Sequence, residues 1–149
     1  MASNAKTRFE QTKKAVARLH EVQTMIMNDC DEWRPPSVSS KHAISDPTAN
    51  AAIRHVDEIE GKLATLRAEE TELIDFIGEA LVIIQAVRDG LGAKFGDLLE
   101  WRYIDCVSWG YIRREYDVIR RTGNRNLNIA FDWIDSLGIT RILAGDYDL

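Results

Sequence analysis

Apolar positions recur at helical spacing along nearly the whole chain, and no stretch alternates in the manner of a strand. From about Ser3 to Asp29, the residues Phe9, Val16, Leu19, Val22 and Ile26 form one apolar stripe and predict a first helix. From about Thr48 to Asp89 the apolar residues follow a seven-residue repeat. Val56, Leu63, Ile77, Ile84 and Leu91 form one set, interrupted by Glu70. Ala52, Ile59, Leu66, Leu73, Ala80 and Val87 form the other. Such a repeat predicts a long helix with a coiled-coil-like seam, roughly 60 Å in length. Asp46 followed by Pro47 suits its first turn.

Between these helices lies Cys30 to Pro47, where Pro35-Pro36 and a serine-rich run carry no periodicity and predict a mobile linker. Folding the two helices back on each other gives a long antiparallel hairpin over residues 1–90. The simplest register puts Asp29 near Thr48 and Lys13 or Lys14 near Leu63. Phe9, Val16, Leu19 and Ile26 then pack on Ile59, Leu63, Leu66 and Leu73. In this register the seam beyond Leu73 is uncovered, so Ile77, Ile84 and Val87 need either the C-terminal residues or a second chain, giving a homodimer. Gly90, Gly92 and Gly96 read as a hinge, and the run is no phosphate-binding loop because no Gly-Lys-Ser/Thr follows.

The stretch Asp97–Leu137 predicts three short helices, a module spanning 97–138. Asp97 with Glu100 has the spacing of a capping box and predicts a helix start at Leu98. Cys106-Val107 forms a joint, and Ser108 is a suitable N-cap for a helix from Trp109 to Tyr116. Asp117 is a further candidate cap. Beyond it Ile119, Leu127, Ala130, Phe131, Ile134 and Leu137 predict a longer helix that stops at Gly138. Trp101, Ile104, Trp109 and Ile112 are read as the module's core, closed by Phe131 and Trp133. The fold class is therefore all-α: the hairpin, then a helix-turn-helix outline, then a tail at 139–149.

Composition changes this picture in one respect. The net charge is −5, which by itself argues against a nucleic-acid partner, yet the charge is unevenly placed. From His55 to Ala80 eight carboxylates face two cations, whereas from Val107 to Asn128 five arginines face two carboxylates, about +3. The basic first half of the first helix (Lys6, Arg8, Lys13, Lys14, Arg18) is explained most simply by pairing with the acidic face of the second. Arg121, Asn124, Arg125 and Asn128 share one face of the last predicted helix, and Arg and Asn are the side chains that read guanine and adenine edges in the major groove.

Catalytic chemistry is not expected. His20, His42 and His55 have no metal-ligand spacing, and no nucleophile elbow or nucleotide loop is present, so neither a metal nor a cofactor is implied. Cys30 and Cys106 match no Cys-x-x-Cys pattern and are read as partly buried free thiols. No apolar run approaches membrane-span length and MASNAKTRFE lacks a signal-peptide core, so a cytoplasmic protein is expected.

The run LLEWRYIDCVSWGYIRREY resembles the "L..RYI...SW..I...." signature of phage late-transcription regulators of the ArpU and RinA type, and more distantly region 4 of the sigma-70 family. The upstream SDPTANAAI followed by a long helix is also similar to those phage proteins. The resemblance covers roughly Ser45 to Leu137, and is sharpest at Arg102-Tyr103-Ile104, Ser108-Trp109, Ile112, Thr122 and Ala130-Phe131. The chain departs from the pattern at Arg113, Asp117, Ile119 and Gly123.

The resemblance implies a regulator in a bacterial host cell that binds double-stranded DNA through this module. In that expectation Arg121, Asn124, Arg125 and Asn128 face bases, and Arg113, Arg114 and Arg120 hold phosphates. The competing expectation is a protein-interaction module that binds RNA polymerase, a sigma factor or another phage protein through its helices without contacting DNA.

Overall fold

A computed structural model describes residues 3–32 and 47–147. Among them every regular element is helical: α1 (Asn4–Glu32), α2 (Pro47–Gly90), α3 (Ala93–Leu99) with a π-helical turn at Glu100–Ile104, α4 (Trp109–Tyr116), α5 (Arg120–Leu137) and α6 (Ile139–Leu143). The all-α class and the two long helices followed by short ones are as the periodicity predicts. Most of the expected mobile linker, residues 33–46, lies outside the described residues. No helix among the described residues is long and apolar enough to cross a membrane.

The chain divides into two compact units, residues 1–17 with 74–149, and residues 18–73. The division falls inside both long helices instead of at the glycines. In the second unit α1 and α2 run antiparallel along a thin seam. Val22 and Leu66 are buried, while Leu19, Ile26, Ile59, Leu63 and Leu73 are half-buried. Arg18 makes a two-pronged contact with Glu69 (Nε–Oε1 2.6 Å, Nη2–Oε2 3.1 Å) and also reaches Glu21 at 3.2 Å. The hydrogen bonds from Arg18 hold the Glu69 carboxyl below its ordinary range, against the opposing effect of desolvation. Lys62 Nζ lies 3.3 Å from Asp29 Oδ1.

These pairs correct the expected register. Asp29 stands beside Lys62, not Thr48, and Arg18 stands beside Glu69, a slide of roughly three to four turns. A seam whose apolar layers recur every three or four residues accepts several registers almost equally well. The choice is made in the other unit.

There, Phe9 is fully buried and is not on the α2 seam positions expected for it. Its ring lies 5.6 Å from Tyr103 and 6.0 Å from Phe131, and those two are 6.0 Å apart, so three elements meet in one aromatic cluster. Burial there pushes the Tyr103 phenol above its ordinary range. Around the cluster, Ala5, Ala80, Ile83, Ile84, Val87, Leu98, Leu99, Ile112, Leu127, Ala130, Ile134 and Ile142 form a single core. The N-terminus of α1 is fixed to α5, where Asp135 accepts from the Ala5 amide at 2.8 Å and from the Ser3 hydroxyl. Arg8 lies over the Phe76 ring at 3.4 Å and pairs with Glu79 at 2.9 Å. Of Ile77, Ile84 and Val87, expected to need covering, the last two are covered by this packing within the chain, and Ile77 is buried as well.

Asp97 and Glu100 do not form a capping box, because the helix begins earlier, at Ala93 after Gly92. Both carboxylates instead receive Arg88, from Nε to Asp97 at 3.1 Å and from Nη2 to Glu100 at 2.6 Å. Gly96 sits inside α3 where a Cβ would strike the Arg88 side chain and come within 3.1 Å of the Ile84 carbonyl oxygen. It is a close-approach residue that lets α3 lie on α2, not part of a hinge. The tail also packs: Ile142 is buried, and Tyr147 meets Trp133 edge-on at 6.4 Å.

Candidate nucleic-acid interface

The helix-turn-helix geometry is built from local chemistry. The π-helical turn after α3 gives the chain a wide final coil, closed by the Asp105 amide on the Glu100 carbonyl (2.8 Å) and the Val107 amide on the Trp101 carbonyl (2.9 Å). Cys106 then takes a left-handed conformation, φ 55°, which turns its side chain outward. The thiol is exposed, not partly buried as expected. Arg102 holds this joint in two ways: Nη1 donates to the Val107 carbonyl at 2.8 Å, and the guanidinium lies 4.7 Å from the Trp109 ring centre.

Ser108 caps α4 as expected, its Oγ accepting from the Tyr111 amide at 3.1 Å. Asp117 ends α4 in the left-handed region, φ 57° and ψ 38°, where its amide bonds the Arg113 carbonyl. Its place is thus a C-cap and not an N-cap. Asp is among the few residues besides glycine that tolerate this conformation, so the turn is made without glycine. Three residues, Asp117 to Ile119, separate α4 from α5, and Ile119 is the residue before α5. No side chain caps α5.

Gly123 is explained by its neighbour. It is buried, and a Cβ there would overlap the six-membered ring of Trp109. The indole occupies the space an apolar side chain would otherwise fill. Gly123→Ala should therefore destabilise the protein by about 1–3 kcal/mol, although Ala is the better helix former. Gly61→Ala, at an exposed helix position with nothing within 4 Å, should stabilise it by about 0.5–1 kcal/mol. Urea midpoints of the two variants, moving in opposite directions, check the Trp109–Gly123 contact; a gain at Gly123 would contradict it.

With Gly123, Leu127, Ala130, Phe131 and Ile134 turned to the core, the opposite side of α5 is open. Arg120, Arg121, Asn124, Arg125 and Asn128 are all exposed, as are Arg113 and Arg114 on α4. Among the described residues none of these five arginines forms an ion pair, whereas Arg8, Arg18, Arg88 and Arg141 each do. All seven residues nominated from the sequence thus lie on the surface of the helix-turn-helix, and helical spacing puts Arg121, Asn124, Arg125 and Asn128 on one face of α5. The arginines of α1 differ. Arg8 and Arg18 are engaged with Glu79 and Glu69, the salt-bridged face expected of that helix.

One feature of the site was not anticipated. A groove of about 640 Å³ runs beside the turn, lined by Lys94, Trp101, Tyr116, Val118, Ile119 and Thr122 among others. Its aromatic wall is Trp101 stacked on Tyr116, 3.8 Å between centres and 10° from parallel. Trp101 was read from the sequence as a core residue, but its stacking on Tyr116 depends on the path through the π-helical turn and the Cys106 joint.

No family model, no curated protein and no solved structure matches this chain.

Proposed function

We propose that the protein is a transcription regulator of the phage type, acting in a bacterial cytoplasm, that binds duplex DNA through α4 and α5. The observation that carries this reading is the exposed Arg/Asn face over the first half of α5, whose arginines pair with no carboxylate among the described residues and which is set behind a three-residue turn; the one carboxylate on that stripe, Asp132, lies a turn beyond Asn128. Helix α5 enters the major groove with Arg121, Asn124, Arg125 and Asn128 toward base edges. Arg113, Arg114 and Arg120 bracket it and hold phosphates. The resemblance to phage late regulators supports the same assignment. The acidic stretch from His55 to Ala80 belongs to α2, separate in sequence from this face, so the overall negative charge does not oppose it.

The test is fluorescence anisotropy with mixed-sequence duplexes at low ionic strength, followed by a salt titration. Affinity should fall linearly with salt on logarithmic axes, with a slope near −3 if the three phosphate-facing arginines each neutralise one phosphate, about −0.9 per contact. Absence of salt-sensitive binding to any duplex would remove the reading.

A second reading has its own observation. The groove beside the turn presents Trp101, Tyr116, Val118 and Ile119, with Tyr116 44% and Ile119 47% exposed. An apolar surface there suits a helix of RNA polymerase, a sigma factor or another phage protein, with no DNA contact. Ile119→Asp would abolish that interaction while leaving the arginine face intact.

A further inference from the structure

Helix α5 carries one exposed residue that neither its core side nor its polar face explains. The buried residues Gly123, Leu127, Ala130, Phe131 and Ile134 define the direction of the core, and Arg125 stands almost opposite to it. Ile129 follows one turn later, about 40° from Arg125 around the helix axis, so it too points away from the core. It is 39% exposed and does not pack on the core cluster. The exposed apolar residues Tyr116 and Ile119 line the groove beside the turn, whereas Ile129 lies outside it. Its neighbours on the surface are Arg125 and Asn128 before it and Asp132 after it, all exposed. Local chemistry does not favour an isoleucine here. A β-branched side chain loses rotamer freedom in a helix, and an exposed position returns no packing.

We infer that Ile129 sets sequence specificity by packing on the C5-methyl group of a thymine in the major groove. The inference rests on the DNA reading above and adds to it the identity of one base. The thymine methyl is the apolar group that base edges present in the major groove, and apolar side chains are what contact it. A stiff, branched side chain offers it a fixed hydrocarbon surface. Along a helix lying in the groove, Ile129 is about 6 Å beyond Arg125, or one to two base steps of about 3.4 Å. The thymine therefore lies next to, or one pair removed from, the guanine whose O6 and N7 receive Arg125. Phosphates repel the Asp132 carboxylate, so the contacted stretch of α5 ends before it, and Ile129 is the last exposed residue of that stretch.

Deletion of the methyl group from the DNA tests it. Deoxyuridine keeps the hydrogen-bonding edge of thymine and lacks only its methyl. It is placed at each thymine of the preferred site in turn, and binding of the full chain is followed by fluorescence anisotropy. With the wild type, one position should weaken binding about fourfold, the worth of one buried methyl. Arg125→Ala locates the neighbouring pair by the base preference it relaxes. At the sensitive position 5-methylcytosine should bind about fourfold better than cytosine. Ile129→Ala should bind the thymine site about fourfold or more weakly with an unchanged salt slope, and should no longer distinguish thymine from deoxyuridine. Its thermal midpoint should stay that of the wild type, because the side chain is exposed; a drop would make Ile129 a packing residue and overturn the inference. A flat response of the wild type to deoxyuridine, or a penalty that persists in Ile129→Ala, overturns it and leaves DNA binding standing. Absence of salt-sensitive binding to any duplex overturns the inference and the DNA reading together.

Discussion

Phe9→Ala should cost about 3–5 kcal/mol of unfolding free energy, the range for deleting a buried aromatic side chain. Phe9 is 0% exposed, and its ring is shared by Tyr103 and Phe131. The core that Phe9 belongs to draws residues from α2, α3, α4, α5 and α6, so the cavity has little freedom to collapse. The same packing predicts that a fragment beginning at Leu91 will not fold alone. It would expose the faces of α3 and α5 that residues 3–17 and α2 cover. Urea unfolding followed by far-ultraviolet circular dichroism measures both, with Met27→Ala, at a residue 67% exposed, as a control near zero. A loss under about 1 kcal/mol for Phe9→Ala would place its ring outside the core.

On DNA, removing base-facing and phosphate-facing side chains of α4 and α5 should have separable effects. Arg125→Ala and Asn124→Ala should each weaken binding to the preferred site by about 1–3 kcal/mol and change binding to random duplex much less. Arg114→Ala and Arg120→Ala should weaken binding to all sequences alike, each reducing the salt slope by about 1. Folding stability should change by no more than about 0.5 kcal/mol in any of the four, because these side chains are exposed. The preferred site can be obtained by selection from random duplexes. Equal losses on preferred and random DNA for all four variants would mean that α5 does not read bases, and a stability loss would mean that the affected side chain has a structural partner.

The glycine substitutions at positions 123 and 61 extend the same logic to backbone spacing. What matters at a glycine is what a Cβ would meet, and this differs between two helical glycines of similar appearance in sequence.

The amino-acid sequence by itself determined most of the helices. The existence of α1 and α5, the long α2, the start of α4 at Trp109 after the Ser108 cap, and the stop of α5 at Gly138 follow from apolar period and capping chemistry acting within a few residues, whereas α6, in what reads as a tail, and the start of α3 at Ala93 do not. The surface side of α5 was legible for the same reason: once Leu127, Ala130, Phe131 and Ile134 are assigned inward, 3.6-residue periodicity sends Arg121, Asn124, Arg125 and Asn128 outward.

Tertiary structure decided what a repeating pattern leaves degenerate. The heptad seam of α2 accepts α1 in several registers, and the one adopted is selected by Phe9 entering an aromatic cluster whose other members lie about a hundred residues away. Asp97 and Glu100 had the spacing of a cap, but Arg88 lies within reach of both, and two charge-assisted hydrogen bonds outweigh a local capping preference. Gly96 was a sign of flexibility only so long as Arg88 was not known to fill the space beside it, and Gly123, a departure from the pattern in sequence, is explained by Trp109 filling the space of an apolar side chain. Helices are set by neighbours in sequence, whereas register, close approach and ion pairing are set by side chains that only the folded chain brings together.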